Sequence, residues 1–308
     1  MRKYVFTGWL VLICCSTRSV DAPYPGGSQP YDTATLFAPG IISTNELEHS
    51  SPAISPDGKT ILWSVVSLPS WRSRIMEINF ENAQWSTPRI ASFNDTSASQ
   101  IYPFFCENNE VLFSSDRPLP FGTRNSRGNV LWKVKYTATG WTDLHPLDSI
   151  VSGGGDYALS RASNGNLYFA HGPFRSPDWN IYLSDHNGDS RALMDSEINS
   201  PYYEDGVFIA PDESYLIFES DRPGGMGESI DLYISFKQKD GSWSSPVNMG
   251  NSINTTAAER FASVSHDGKV LFFGSNRRTV NGNPNFDIYW INATVIDMLR
   301  AKNNVSLK

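Results

Sequence analysis

The chain has 308 residues, of which 13% are aromatic, and its formal net charge is −7. This acidic charge argues against nonspecific nucleic-acid binding, because that binding depends on Lys and Arg side chains that neutralise phosphates. Of the three cysteines, Cys14 and Cys15 lie close to the N-terminus, so Cys106 is alone in the rest of the chain. An internal disulfide is therefore excluded for the region that follows the N-terminal segment.

Residues 1–22 have the pattern of an export signal. Arg2 and Lys3 precede an apolar run that ends at Cys15, and small and polar residues follow. A membrane-spanning helix needs about 20 apolar residues, so this run is too short to serve as one. Cleavage after Ala22 is one interpretation, and lipidation of Cys15 in a weak relative of a bacterial lipobox is the other. We expect an exported protein in the periplasm or at the outer membrane, either free or lipid-anchored.

Three further regions follow the leader. Residues 23–34 are rich in Pro, Gly and polar residues, which predicts a flexible tether. Residues 35–295 alternate short apolar runs with turn signals, which is typical of an all-β fold. A short helical pattern begins at Thr294, so residues 296–308 are assigned to a C-terminal helix and tail. We expect this helix to pack on the outside of the last repeat.

The strongest local signal is the turn Ser55-Pro56-Asp57-Gly58-Lys59, which lies between two apolar runs. Asp-Gly in this setting predicts a tight hairpin, because Gly tolerates the positive φ that the turn needs. Related turns recur along the chain, and their anchor residues are Gly58, Asn109, Gly165, Glu213 and Gly268. By subtraction these anchors are 51, 56, 48 and 55 residues apart. A period of about 50 residues, built from short strands, indicates a propeller or a similar array.

Each repeat divides into four strands, which are called a to d. In the first repeat they are predicted at residues 51–55, 60–66, 74–80 and 84–93. The fifth repeat has no strand d, whereas a strand-like segment at residues 35–44 precedes the first repeat. This segment can complete the last blade and close the ring, which protects the sheet edges. We predict a single closed β-propeller with five blades of four antiparallel strands, or six blades if residues 23–42 contribute more than one strand.

Two further motifs recur in order with the turn. Strand b is followed by Ser115-Asp116-Arg117, Ser220-Asp221-Arg222 and Ser275-Asn276-Arg277. Strand c contains Asp231-Leu232-Tyr233 and Asp287-Ile288-Tyr289. Together these motifs resemble the WD40-like (PD40) repeat of TolB-type propellers over residues 35–295.

The resemblance implies a propeller fold, although the repeats differ in how closely they match. The second and third repeats depart from the motif at the turn, and the third has His171-Gly172-Pro173 in place of the Ser-Asp-Arg loop. TolB itself has, by this resemblance, an additional α/β domain and six blades. The chain has no room for that domain, so the resemblance implies no TolB role in the envelope.

Aligning the repeats on their turn anchors brings polar side chains to the start of strand a. One aligned column contains His49, Gln100, Asp156, Glu204 and Glu259. The next contains Ser50, Ile101, Tyr157, Asp205 and Arg260, with Tyr102, Tyr202, Tyr203 and Phe261 beside it. In a propeller, strand a of each blade lines the axial channel. Convergent polar groups in a concavity predict a ligand site at the channel mouth.

Three functions fit such a mouth, and noncatalytic binding of an envelope protein, a peptide or a glycan is favoured. The second is glycoside cleavage by two of Asp156, Glu204 and Glu259, which requires carboxyl groups about 5–9.5 Å apart and a raised pKa on one. The third is a passive scaffold whose carboxylate ring holds water or Ca²⁺. We expect no other cofactor and a monomer that reaches the membrane only through a lipid anchor.

The recurring Ser-Asp-Arg loops are interpreted as structural. Asp116 and Asp221 are expected to accept hydrogen bonds from nearby backbone amides, as Asp does in turns. The arginines that follow are expected to stack on neighbouring aromatic rings rather than to bind an anion. These arginines are Arg117, Arg222 and Arg277.

Other aromatic and reactive residues are also assigned to packing. Trp85, Trp141 and Trp243 recur at the start of strand d, and recurrence favours a role in every blade over a single binding role. Cys106 occupies a turn and is expected to be a buried, inert thiol. The sequence has no G-x-S-x-G, H-E-x-x-H or paired C-x-x-C motif, so it offers no signal for a hydrolase triad or a zinc site.

Overall fold

The computed structural model describes residues 23–27, 30–120, 129–147, 155–172, 178–185, 190–227 and 229–303. Within these residues the strands form five antiparallel sheets. The first strands of neighbouring blades contact one another, so that Glu204–Ile209 lies beside both Asp156–Arg161 and Glu259–Val264. The protein is therefore a β-propeller with five blades, as predicted. The six-bladed alternative is wrong, because the described residues contain no sixth sheet.

The strands are numbered in chain order. The N-terminal strand is β1 (Thr35–Leu36). The first blade contains β2 (Leu47–Glu48), β3 (Ala53–Ile54), β4 (Thr60–Ser67), β5 (Arg72–Glu81), β6 (Gln84–Trp85) and β7 (Arg89–Ile90). The second contains β8 (Gln100–Phe105), β9 (Glu110–Ser115), β10 (Val130–Thr137) and β11 (Gly140–Pro146). The third contains β12 (Asp156–Arg161), β13 (Leu167–His171), β14 (Asn180–Ser184) and β15 (Arg191–Leu193).

The fourth and fifth blades follow the same order. The fourth contains β16 (Glu204–Ile209), β17 (Tyr215–Ser220), β18 (Asp231–Phe236) and β19 (Val247–Asn248). The fifth contains β20 (Glu259–Val264), β21 (Val270–Val280) and β22 (Asn283–Asn292). The helix α1 (Thr294–Lys302) buries Val295 and Ile296 against the cluster that joins these two blades. The helix therefore packs between the last two blades rather than on the last one alone.

The N-terminal strand closes the ring. Thr35 and Leu36 in β1 pair with Trp290 and Tyr289 in β22, which makes β1 the fourth strand of the fifth blade. The closing strand has two residues rather than the ten predicted at 35–44. It ends early because Ala38 and Gly40 adopt positive φ values of 46° and 79°, which turn the chain out of the extended conformation. The predicted closure is confirmed with a shorter strand.

The first blade departs most from its predicted bounds. Strand a was expected at residues 51–55, but β2 and β3 both pair with β4, and the four residues between them are outside the strand. Strand d was expected at residues 84–93, but it is divided into β6 and β7 around Pro88. Proline has no backbone N–H to donate to the ladder, which accounts for the second interruption.

The recurring tryptophans and Cys106 have the packing roles predicted for them. Trp243 is 5% exposed in a cluster that joins the third and fourth blades, and Trp85 and Trp141 pack against clusters of the first and second blades. Cys106 is buried, and that burial raises the pKa of its thiol to about 12. The thiol is therefore unreactive near neutral pH.

The predicted leader, including Cys15, lies outside the described residues. Part of the predicted tether is described, and the ring of Tyr24 packs against Phe37 and Trp290 at centroid distances of 6.0 and 5.5 Å. Trp85 Nε1 also donates a 2.8 Å hydrogen bond to the carbonyl of Pro23. Residues 23–24 thus contact the propeller, which a tether does not require. Among the residues that the structure describes, no helix is long and apolar enough to cross a membrane.

Candidate functional site

A buried acid or amide begins strand a in every blade. These residues are Glu48, Gln100, Asp156, Glu204 and Glu259, and none is more than 1% exposed. In the fourth blade, Glu204 accepts hydrogen bonds from the backbone and hydroxyl of Ser200 at 3.0 and 2.5 Å. It also accepts bonds from Ser220 at 3.1 Å and from Arg222 at 2.9 Å. In the fifth blade, Glu259 makes the equivalent contacts with Thr255, Ser275 and Arg277. These carboxylates thus bond to their own blades.

The Ser-Asp-Arg loops complete this arrangement. Asp221 accepts a 2.9 Å hydrogen bond from the backbone N–H of Tyr203, and Arg222 stacks on Phe218 and Tyr233 at 4.8 and 5.4 Å from the ring centres. Arg222 also donates to the carbonyl of Ile198 at 2.6 Å. The equivalent stacks are Arg117 with Phe113 and Trp132, and Arg277 with Phe273 and Tyr289. The structural interpretation of these loops is confirmed.

The third blade reaches a similar arrangement without the loop motif. His171 Nδ1 lies 2.8 Å from Asp156 Oδ1, and Arg191 Nη1 lies 3.8 Å from the same oxygen. Arg191 comes from β15 and stacks on Tyr182 and Phe169 at 4.3 and 5.3 Å. An arginine on strand d therefore replaces the arginine of the missing Ser-Asp-Arg loop.

The first blade differs from the alignment by one residue. His49 was placed in the column of Glu204 and Glu259, but Glu48 pairs with Val65 at that position and bonds to Thr44 as the others bond to Ser200 and Thr255. The start of strand a in this blade lies one residue further from the turn than in the other blades. His49 therefore belongs to the second column, beside Tyr102.

The second column converges at the channel mouth. The axial polar cluster is defined here as His49, Tyr102, Tyr157, Tyr203, Asp205, Glu219 and Arg260, which come from all five blades. Arg260 is at its centre, where Nη2 donates to the Tyr203 hydroxyl at 2.7 Å and to Asp205 at 3.2 Å. Its Nε donates to Glu219, and the Tyr203 hydroxyl donates to Asp205 at 2.5 Å. Within the described residues these bonds leave Nη1 of Arg260 for a ligand.

Aromatic rings surround this guanidinium. The Tyr102 hydroxyl lies 3.2 Å from Nδ1 of His49, and the Tyr102 ring is 6.1 Å from the ring of Tyr157. Tyr157 in turn contacts Trp179 at 5.2 Å, and Arg260 lies 4.8 Å from the centre of the Phe261 ring. His49, Tyr102, Tyr157, Tyr203 and Arg260 are all half-buried, so each presents part of its side chain to solvent.

Glu219 is a member of the cluster that the alignment did not identify. It lies in β17 opposite Asp205, at a position occupied by Ser114, Ala170 and Gly274 in other blades. A Cβ atom on Gly206 would lie 1.7 Å from Glu219 Oε1, so only glycine leaves room for this carboxylate. A lone acid in a column of small residues was the signal available in the sequence. Trp179 and Phe286 also contact the mouth without a comparable signal.

Burial and the central arginine set the charges of the cluster. Burial raises the pKa of Glu219 to about 7, although Arg260 opposes that shift. Burial, and next the charge of Arg260, lower the pKa of His49 to about 3, so this imidazole is neutral at pH 7. Burial also raises the pKa of Tyr157 to about 12 and that of Tyr102 well above its ordinary value. The mouth is thus close to neutral overall and rich in hydrogen-bonding groups.

The channel narrows behind the cluster. A cavity of about 40 Å³ is lined by residues that include Tyr102, Ala158, Gly206 and Phe261. Among the described residues, no three His, Cys, Asp or Glu side chains are grouped closely enough to hold a metal ion. Ca²⁺ in a carboxylate ring is therefore left as a prediction, and these residues provide no geometry for it.

Glu48 is the one first-column glutamate without an arginine partner in the described structure. Its Oε1 accepts bonds from Thr44, while the buried Oε2 has no partner among the described residues. Burial raises the pKa of Glu48 from its ordinary value of 4.5 to about 8. Because the folded-state pKa is the higher one, the stability associated with this group is complete below pH 4.5 and is lost as the pH rises through 8.

Replacing Glu48 with Gln is expected to raise the free energy of unfolding by about 1–3 kcal/mol at pH 8 and to change it little at pH 4. The amide oxygen keeps the acceptor for Thr44 but cannot ionise. Urea unfolding at both pH values measures the effect. Glu46→Gln, on an exposed neighbour that pairs with Arg74, is the control and should change stability by less than about 1 kcal/mol at either pH, because an exposed ion pair contributes little. An equal effect of Glu48→Gln at pH 4 and pH 8 would contradict the raised pKa of Glu48.

The fold and the mouth define the protein as a five-bladed β-propeller with a polar, aromatic channel entrance. No protein-family model matches the chain, and none of the curated proteins matches it in sequence. Its similarities are to solved structures. The chain is similar to TolB from Acinetobacter baumannii, with a TM-score of 0.44 and 14% identity over 65% of this chain and 43% of that one. The chain thus spans less than half of the TolB it matches.

Two further similarities are to an enzyme and to a protease domain. An α-L-arabinofuranosidase from Podospora anserina, in complex with cellotriose, matches with a TM-score of 0.52 and 8% identity over 86% of this chain and 98% of that one. The β-propeller domain of the Trilobed protease from Pyrococcus furiosus matches with a TM-score of 0.39 and 12% identity over 79% of this chain and 80% of that one. At these identities the similarity shows the propeller fold alone.

Proposed function

We propose that the protein is an exported, noncatalytic propeller that binds a peptide, a protein or a glycan at its axial polar cluster. The observation that supports this proposal is convergence: all five blades contribute partly exposed rings or hydrogen-bonding groups to one end of the channel. Tyrosine faces suit stacking on sugar rings or on apolar side chains. Arg260 Nη1 and neutral His49 suit carbonyl or hydroxyl groups.

The loops around the mouth favour a macromolecular ligand. Leu68, Trp71, Tyr202 and Met226 are 59%, 65%, 45% and 42% exposed, and all four lie in loops on the face where strand a begins. Large contiguous apolar patches mark interaction surfaces, and these side chains lie in loops of two blades, the first and the fourth. A protein or an extended glycan could contact both these residues and the axial polar cluster.

Glycoside cleavage is the second candidate, and the pair Asp205 and Glu219 favours it over the originally predicted carboxylates. Two cross-strand carboxylates, one with a pKa raised to about 7, share the cation Arg260. A raised pKa on one of two neighbouring carboxyl groups is a feature of a glycosidase pair. Against catalysis, Glu219 is fully buried, and its two oxygens accept bonds from Arg260 and from the backbone of Phe261. Glu204 and Glu259 are buried and similarly occupied, so none of these three glutamates is an exposed proton donor.

We also propose that the chain is a monomer located in the cell envelope. The basic and apolar pattern of residues 1–22 supports export, and Cys15 is the candidate for a lipid anchor. Detergent partitioning of the wild-type and Cys15→Ser chains distinguishes an anchored protein from a free one.

The proposed binding is tested by Tyr157→Ala, measured on an array of glycans and on an array of overlapping peptides. Ligands that bind the wild type should bind the variant about tenfold more weakly, because a stacked aromatic side chain contributes roughly 1.4 kcal/mol or more at such a site. Tyr31→Ala is the matched control, since Tyr31 is 63% exposed and outside the mouth. An equal loss of affinity in Tyr157→Ala and Tyr31→Ala would contradict the assignment of the binding site to the axial polar cluster. Hydrolysis of an arrayed glycan by the wild type would contradict the noncatalytic assignment.

A further inference from the structure

The opposite end of the channel opens into a larger cavity. This turn-side cavity has a volume of about 360 Å³ and is lined by residues from all five blades, at the ends of the strands next to the a–b turns. The lining residues Phe104, Phe208 and Val264 lie two to four residues along their strands from Tyr102, Asp205 and Arg260, which separates the cavity floor from the axial polar cluster by about 7–13 Å. Cavities of about 300–1,000 Å³ are typical of small-molecule sites.

The floor of the turn-side cavity is apolar. Ile54, Phe104 and Val264 are half-buried there, and Phe208 is 5% exposed beside them. Apolar surface left in contact with water costs roughly 25 cal/mol per Å² relative to burial. A ligand with an apolar body that fits this volume recovers that free energy. The floor therefore favours an aromatic or a short alkyl group.

The rim has one permanently charged donor, Arg161. Its Nε donates to the carbonyl of Gly165 at 3.2 Å and its Nη1 to Glu110 at 3.3 Å. Glu110 is shared with Lys133, whose Nζ lies 3.8 Å away, so two cations share one carboxylate. Within the described residues neither bond uses Nη2, and the side chain is 31% exposed. Glu107 also lines the cavity and balances the second cation, so the attraction for an anion is local to the unused Nη2 of Arg161.

Two other rim groups bond to residues other than Arg161. Glu107 accepts a 2.9 Å hydrogen bond from Ser163, and His266 Nε2 lies 3.0 Å from the carbonyl of Ile54. The Cys106 thiol beside Arg161 stays protonated near neutral pH, because burial raises its pKa to about 12. No thiolate therefore competes with an anionic ligand for Arg161.

We propose that the turn-side cavity binds a compact amphipathic anion. The apolar body rests on Ile54, Phe104 and Val264, and a carboxylate or sulfonate head accepts a hydrogen bond from Arg161. The charged hydrogen bond from Arg161 favours the anionic head, and the apolar floor favours the body. This site is independent of the axial polar cluster and of the function proposed for it.

Two fluorescent dyes of similar shape test the proposal on the folded protein. Anilinonaphthalene sulfonate has an anionic head, whereas N-phenylnaphthylamine has none. Both are expected to bind the wild type saturably. Arg161→Gln should weaken the sulfonate dye about tenfold, which is about 1.4 kcal/mol, and leave the neutral dye unchanged. Lys59→Gln is the matched control, because this exposed lysine on the same face is outside the lining.

Two more variants locate the bound dye. Val264→Glu introduces a carboxylate into the floor and should weaken both dyes more than tenfold, with folding verified by circular dichroism. Tyr157→Ala, at the other end of the channel, should leave both dyes unaffected. Equal effects of Arg161→Gln and Lys59→Gln, loss of dye in Tyr157→Ala, or no saturable binding to the wild type would each overturn the proposal. If Val264→Glu does not fold, the comparison of Arg161→Gln with Lys59→Gln still tests whether Arg161 binds the anionic dye.

Discussion

Replacing Phe37 with Ala is expected to lower the free energy of unfolding by about 3–5 kcal/mol, which is the usual cost of removing a buried phenyl ring. Phe37 is fully buried and directly follows the closing strand β1. Its ring contacts Phe272 and Trp290 of the fifth blade at 4.9 and 5.1 Å. The same cluster includes Ile61 and Trp63 of the first blade, so one side chain joins the two ends of the ring.

The loss should be specific to closure. Tyr31→Ala is the control, because Tyr31 lies a few residues earlier, is 63% exposed, and contributes its backbone carbonyl, rather than its ring, to the bond with Asn292. That variant should unfold within about 0.5 kcal/mol of the wild type. Guanidinium unfolding followed by tryptophan fluorescence measures both variants. A cost below 1 kcal/mol for Phe37→Ala would mean that the ring is not held together at this point.

The fold could be predicted because its signals are local and repeated. Related a–b turns recur in all five repeats and Ser-Asp-Arg-type loops in three of them, so their spacing revealed the period. It also showed that the last repeat lacks strand d and that a strand precedes the first repeat. The first blade was placed less accurately, because Pro88 and the interruption between β2 and β3 change strand bounds without changing the turn. The third blade has the stacked arginine on strand d, where the motif gave no reason to look for Arg191.

The candidate site was only partly predictable. The alignment gives the position of a residue along strand a but not the direction in which its side chain points. Successive residues on a strand point to opposite sides, so Glu204 bonds to Ser200 and Arg222 while its neighbour Asp205 reaches Arg260. Of the second predicted column, Tyr157, Asp205 and Arg260 belong to the axial polar cluster, whereas Ser50 and Ile101 are buried. Glu219 was missed because it enters from strand b, which the alignment of strand a did not include.

The two kinds of arginine–carboxylate contact differ in the blades that they join rather than in exposure, since the side chains of Arg222, Arg277 and Arg260 are 13%, 21% and 16% exposed. Arg222 and Arg277 are sandwiched between aromatic rings of their own blades and bond to Glu204 and Glu259. Arg260 bonds to carboxylates of the neighbouring fourth blade and is half-buried at the channel mouth. The first kind stabilises a blade, and the second joins two blades where a ligand can reach them.

Arg260→Met is expected to lower the free energy of unfolding by about 3–5 kcal/mol at pH 8, because it leaves the buried Glu219 without its cation. The loss should be much smaller at pH 5. Burial has already raised the pKa of Glu219 to about 7, and removing Arg260 raises it further, so the carboxyl is protonated at pH 5 in the folded protein. With the folded-state pKa above the unfolded one, stability decreases as the pH rises through 7.

A double variant separates the charge effect from lost packing. Adding Glu219→Gln to Arg260→Met removes the unpaired carboxylate and should restore about 2 kcal/mol at pH 8 but little at pH 5. Arg72→Met is the surface control, since Arg72 is exposed and should cost less than about 1 kcal/mol at either pH. Urea unfolding at the two pH values measures all three variants. If Arg260→Met loses the same free energy at pH 5 and pH 8, Glu219 does not depend on Arg260 for its charge. In that case the axial polar cluster is held together by packing rather than by this ion pair.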